Sequence, residues 1–424
     1  MSNNNEKLTL EDIEKLKTAV EEESRKPPEV ASIVDIIQNL LILGYYSRAS
    51  DIHFQPRENY LVVRFRIDGI TYDFFQIPIE LRDELISRIK ILSNLRIDEH
   101  FSAQDGRFRF YFNSEKQNYF DVRVSIVPTY YGENAILRLL VSPHEKFTLE
   151  NLGLSSRDLE EIKKAISKPY GMILATGPTG SGKTTMLYTI LNTLNTEGVH
   201  IITIEDPVEY AIQGVTQIQV NPQTDLTFGK GLRAILRQDP NIIMVGEIRD
   251  EETASIAVNA ALTGHLLLST LHTNDAPGAV VRLLEFNIEP YLIASTVNIA
   301  IGQRLVRKIC DYCKKEREIK SVEIEDLSRL LPERTLKELL SIKNVFYGEG
   351  CKNCNQSGYL GRTGIYEVLS ISDEIRELIL KRASSSEIKD KAIELGMTII
   401  LEDGIKKVIS GITTIEEVLR VTHE

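Results

Sequence analysis

An apolar run, GMILAT at 171–176, passes directly into GPTGSGKTT at 177–185, and this junction constrains the fold more than any other part of the sequence. The first half has the composition of a buried strand. In the second, glycines let backbone N–H groups curl around an anion, and the helix that follows presents its N-terminus to negative charge. A strand–glycine loop–helix unit of this kind belongs in an α/β fold, a parallel sheet with helices on both faces. The expected nucleotide cradle is Gly177, Pro178, Thr179, Gly180, Ser181, Gly182, Lys183, Thr184 and Thr185. Lys183 is expected to reach the β- and γ-phosphates of ATP, and the Thr184 hydroxyl to ligate Mg²⁺.

Three more short apolar runs alternate with amphipathic helical stretches: HIITI (200–204), NIIMV (241–245) and HLLLST (265–270). In such a sheet, ligand groups gather beyond the carboxyl ends of the strands. Here HIITI leads into Glu205, Asp206 and Glu209, NIIMV into Glu247, and HLLLST into His272. Phosphoryl transfer to water requires one carboxylate to orient or deprotonate the water and another in the metal shell. Residue types alone leave both Glu209 and Glu247 open as the general base.

Around this core the chain divides into five segments. Residues 1–29 read as a flexible arm carrying a short amphipathic helix, with Leu10, Ile13, Leu16 and Val20 at near-helical spacing and Thr9 as its N-cap. Residues 30–140 mix helical periods with alternating strands such as YLVVRFRIDG (60–69) and YFDVRVSIV (119–127), which predicts a small α/β domain. A linker at 141–150, around Ser142-Pro143, leads to the ATPase core at 151–305. In 306–424 the strand rhythm fades into a cysteine-bearing segment and helices at 373–382, 385–395 and 401–409.

A net charge of −11 argues against direct nucleic-acid binding, which draws on a surplus of Lys and Arg. The N-terminus lacks the basic and apolar regions of a signal peptide, and no run approaches the ~18 apolar residues of a membrane span. A cytoplasmic protein that meets the membrane only through partners is expected. All four cysteines fall into two Cys-x-x-Cys pairs, Cys310/Cys313 and Cys351/Cys354, the spacing of a four-thiolate Zn²⁺ site.

Taken in order, GPTGSGKTT, IEDPVEY, LRQDPNIIMVGEIRD and TGHLLLSTLHTN resemble the Walker A, Asp box, Walker B and His box of the type II/type IV secretion ATPase superfamily. ASDIHFQP (49–56), RFRIDG (64–69), AQDGRF (103–108), IGQRLVRKICDYC and GRTGIYEVL extend the resemblance from about 30 to 424. It implies a homohexamer whose subunits join a PAS-like N-terminal α/β domain to a RecA-like P-loop domain. By motif carry-over Glu209 matches the catalytic glutamate and Glu247 the Walker B glutamate. Arg107 and Arg123 match arginines that reach nucleotide across the ring, and Arg233 and Arg237, four apart on one helix face before the Walker B strand, resemble further interface arginines. The tetracysteine element resembles that of pilus-extension and type II secretion ATPases, and the short segment before ASDIHFQP leaves a competence-type pseudopilus ATPase as a further reading. An inner-membrane platform protein is the implied partner. Only about 30 residues precede ASDIHFQP's domain, so the extra N-terminal docking domain of larger relatives is expected to be absent or reduced to the arm. A retraction ATPase and a nucleotide-gated scaffold with little hydrolysis are the alternatives.

Overall fold

The structure is a computed structural model that describes residues 10–112, 118–141 and 147–422, and the chain forms two units, 1–144 and 145–424. The expected cap Thr9 and the Ser142-Pro143 junction lie outside the described residues.

The first unit runs α1 (Leu10–Ser24), α2 (Ile33–Tyr46), β1 (Ala49–Pro56), β2 (Tyr60–Ile67), β3 (Ile70–Pro78), α3 (Arg82–Leu92), β4 (Gln104–Tyr111), β5 (Tyr119–Thr129) and β6 (Gly132–Leu140). Its six strands are ordered β3-β2-β1-β6-β5-β4, each antiparallel to its neighbours. Strict alternation in the sequence accounts for this sheet. In β5 Phe120, Val122, Val124 and Ile126 are buried, while Asp121, Arg123 and Ser125 face the other way. Asp68 and Gly69 both take positive φ, which suits the tight β2–β3 turn. The segment read as an arm contains α1, which packs on α2 and β3. Its Val20 is fully buried in the same core as Ile36, Leu40 and Phe54.

The second unit is built on a seven-stranded sheet. In chain order its elements begin α4 (Ser156–Ile166), β7 (Gly171–Thr176), α5 (Lys183–Leu194), β8 (Ile201–Glu205) and β9 (Thr216–Gln219). They continue with α6 (Phe228–Ile235), β10 (Ile242–Val245), α7 (Glu251–Leu262), β11 (Leu266–Leu271), α8 (Ala276–Glu285), α9 (Pro290–Thr296) and β12 (Val297–Ile309). A two-stranded ribbon, β13 (Lys314–Glu318) with β14 (Asn344–Gly348), precedes β15 (Tyr359–Ser370). The sheet order is β15-β12-β7-β11-β10-β8-β9, all parallel except β15, which runs antiparallel to β12.

Every residue of β7, β8, β10 and β11 is buried, as expected of strands covered on both faces. Met172 and Leu174 face a layer with α6 to α9, whereas Ile173 and Ala175 face α4 and α5. The main sheet does not stop near 305: β12 runs on to Ile309, and β15 returns to it from beyond the cysteines. Helices at Asp373–Leu380, Ser385–Glu394 and Ile400–Ile409 match the three expected near the C-terminus.

Candidate active site and thiolate cluster

The loop after β7 takes the conformation its glycines permit. Gly177 has φ +143, and a Cβ there would lie 2.4 Å from the Gln303 carbonyl oxygen of the neighbouring strand β12. Gly182, with φ +90, turns the chain into α5. A side chain at either position would fill the curled loop or strain it. Lys183 is buried, and its Nζ donates to the carbonyls of Gly177 (2.7 Å) and Pro178 (3.0 Å). Burial holds its pKa below the usual lysine range, opposed by the charge of Glu247 and reinforced by that of Arg304. The Ser181 Oγ and the Gln303 Oε1 are buried without hydrogen-bond partners among the described residues. Curled backbone, an inward-facing lysine and unpartnered buried oxygens fit a polyphosphate with its metal.

The carboxyl ends of β8, β10 and β11 converge beside this loop. His272 Nε2 lies 3.0 Å from Glu247 Oε2, and Arg249 pairs with the other Glu247 oxygen. Arg249 also reaches Asp206, 3.5 Å away, so one ionic chain joins Asp206, Arg249, Glu247 and His272. The hydrogen bond that Arg249 donates to Glu247, with the charges of Glu247 and Asp206, holds the Arg249 pKa above its ordinary value. The hydroxyl of Thr176, the last residue of β7, bonds the side chain and the backbone N–H and carbonyl of Thr273, which fixes the His272 loop to the start of the phosphate loop. Arg249 was not among the expected site residues. The available signal was a cation two positions after Glu247, among carboxylates at a strand end.

Two expectations require correction. Glu205, expected to face nucleotide, is 3% exposed and its carboxylate is saturated by Tyr188, Thr203 (2.6 Å) and Gln217 (3.1 Å). It is still within β8, and the two-residue period of the strand turns it to the α5 face with Ile201 and Thr203. Arg233 and Arg237 do not share a helix: α6 ends at Ile235, leaving Arg237 in the turn beyond it. Arg233 pairs with Glu252 of α7 at 2.5 Å. Glu209 is half-buried on the loop after β8, and Thr184 is half-buried in the first turn of α5. Arg107 and Arg123 lie in the first unit, directly opposite each other on β4 and β5.

Cys310, at the end of β12, gathers with Cys313, Cys351 and Cys354, all four Sγ atoms lying within 4.8 Å of one another. The Cys310–Cys351 and Cys313–Cys354 pairs are at 3.9 Å and Cys351–Cys354 at 3.7 Å. A tetrahedral site with metal–sulfur bonds of about 2.3 Å spaces its sulfurs by about 3.8 Å, so the cluster fits. Burial raises the thiol pKa of Cys310 to about 12. At Cys354 burial acts in the same sense, but N–H donors from Cys351 and Gly358 bring the thiol down to about 7.

A parallel sheet with a phosphate loop at one strand end, and carboxylates plus a histidine at the next, defines a P-loop nucleotide-binding protein. Its family is narrower. The chain belongs to the type II/IV secretion system protein family, whose model matches residues 27–420. It is 44% identical to the type IV pilus assembly ATPase PilB of Myxococcus xanthus, covering 96% of this chain and 71% of that one. It is 45% identical to the type II secretion system protein E of Pseudomonas aeruginosa, over 93% of this chain and 76% of the relative. The crystal structure of the pilus retraction motor PilT with bound ADP superposes with a TM-score of 0.61 at 25% identity, over 92% of this chain and 97% of PilT. No helix among the described residues is long and apolar enough to cross a membrane.

Proposed function

We propose that the chain hydrolyses ATP as one subunit of a homohexameric motor, and that the motor drives assembly of type IV pilus or type II secretion/competence pseudopilus fibres. The observation that carries this reading is the junction of three strand ends at the phosphate loop, where Glu247, His272, Arg249 and Asp206 form one ionic chain beside Lys183. Thr184 and the Glu247 region would hold Mg²⁺, which neutralises phosphate charge when bound. Glu209 serves as general base toward the attacking water, and Glu247, already engaged by His272 and Arg249, organises the metal side. Motion between the two units transmits the work to an inner-membrane platform protein, and contact with the membrane comes only through such partners. The family's assembly and secretion members, at 44–45% identity, support fibre assembly over the retraction suggested by PilT at 25%.

Phosphate release separates the carboxylate roles. Glu209→Gln is expected to bind ATP while turnover falls by on the order of 10²-fold or more, because an amide cannot accept the water's proton. A Glu209→Gln protein that loses nucleotide binding, beside a Glu247→Gln protein that binds but is inert, would reverse the two assignments.

The thiolate cluster holds one Zn²⁺ as a structural tie between the end of β12 and the start of β15. Elemental analysis of protein purified without added metal should return about one zinc per chain, and a value near zero refutes it. Cys310→Ser should lower the melting temperature of the second unit and alter turnover only secondarily, since the cysteines lie outside the phosphate motifs.

A further inference from the structure

The buried carboxylate of Glu205 has no role in the chemistry described above, yet it sits at the centre of a hydrogen-bond cluster that ends on the Glu209 loop. The parallel register of β8 and β9 sets Gln217 beside Thr203. From there Gln217 Nε2 lies 3.1 Å from Glu205 Oε1 and 3.2 Å from the Tyr210 carbonyl oxygen, and Gln217 Oε1 accepts the Ile212 N–H at 2.7 Å. The Tyr188 hydroxyl donates to the second Glu205 oxygen, and Gln217 Nε2 lies 3.3 Å from the same hydroxyl. The rings of Tyr188 and Tyr210 meet edge to face at 4.7 Å. Burial holds the Tyr188 pKa far above its ordinary value, so the phenol stays protonated and keeps donating.

These contacts hold the loop at the carbonyl of 210 and the N–H of 212, immediately after Glu209. Tyr188 lies on α5, the helix that begins with Lys183. A buried carboxylate is tolerated when its acceptor sites are filled, and Glu205 has Tyr188, Thr203 and Gln217 as donors. The cluster therefore fixes one catalytic loop to the helix that supports the other.

We propose that Tyr188, Glu205 and Gln217 are positioning residues, which hold the Glu209 carboxylate in register with the phosphate loop for attack by water. This rests on the reading of Glu209 as general base. Misplacing such a group by about 1 Å can cost on the order of 10²-fold in rate.

The test uses the full chain with Tyr188→Phe, which keeps the ring, and Gln217→Ala at a half-buried site that should fold if the tyrosine variant does not. Phosphate release would give kcat and KM for ATP, alone and combined with Glu209→Gln. Each single variant is expected to lower kcat by about 10- to 100-fold with KM within about twofold. Added to Glu209→Gln, either change should lower the residual rate by less than about twofold, because both act through the same carboxylate. Wild-type kcat in both single variants beside an inert Glu209→Gln would overturn the positioning role alone, as would a further full loss in the combined variants. Wild-type turnover by Glu209→Gln would overturn the general-base reading and this proposal with it.

Discussion

Replacing Lys183 with alanine is expected to abolish ATP turnover, a loss on the order of 10³-fold or more, while leaving the second unit folded. The rate effect follows from position. The ammonium group is held inside the curled loop by the Gly177 and Pro178 carbonyls, where a γ-phosphate would exchange for them. In a site shielded from water, a fixed positive charge aimed at developing negative charge is among the largest contributions to rate. The effect on stability is small for a separate reason. Lys183 bonds loop carbonyls and not side chains of the sheet, and burial already works against its charged form. Phosphate release at saturating ATP, beside a thermal melt, checks both halves of the expectation. Turnover near the wild-type level would remove the phosphate loop from the catalytic site.

The parts of this site that were legible in the sequence are those whose signal is local. Gly177, Gly182 and Lys183 belong to a loop that follows a wholly buried strand directly, and Glu247 and His272 stand just past two others. Glu205 was misread because adjacency to Asp206 says nothing about direction. One residue of strand alternation separates a carboxylate in the α5 layer from one that meets Arg249. Gln217 was out of reach for another reason. TQIQ is a four-residue edge strand with no apolar run to announce it, and only the pairing of β8 with β9 brings it to Thr203. The same limit hid β15, which lies 50 positions beyond β12, past the cysteine segment, and pairs with it nonetheless. Loss of helical period also marked the end of α6 poorly. Arg233 and Arg237 have the spacing of one helix face, but the chain leaves the helix between them.

Arg107→Ala and Arg123→Ala are each expected to cut turnover by on the order of 10³-fold while ATP binding persists, because an arginine supplied by a neighbouring subunit can contribute that much. Their setting in the first unit favours an anionic partner. Arg107 on β4 faces Arg123 on β5, which faces Arg138 on β6, so three cations lie in one row across adjacent strands. Arg138 is neutralised by buried Asp51 at 2.9 Å, whereas among the described residues no carboxylate pairs with Arg107 or Arg123. Like charges directly opposite one another in a sheet are unfavourable, and a phosphate between them would reverse the sign of the interaction. Sharing across a ring makes a further demand that a purely internal role does not. Lys183→Ala subunits and Arg123→Ala subunits, inert separately, should recover part of the activity when mixed, since some interfaces then pair an intact phosphate loop with an intact arginine. The measurement is phosphate release from rings shown by differential tagging to contain both variants. Mixed rings that stay inactive would place the two arginines outside the shared site.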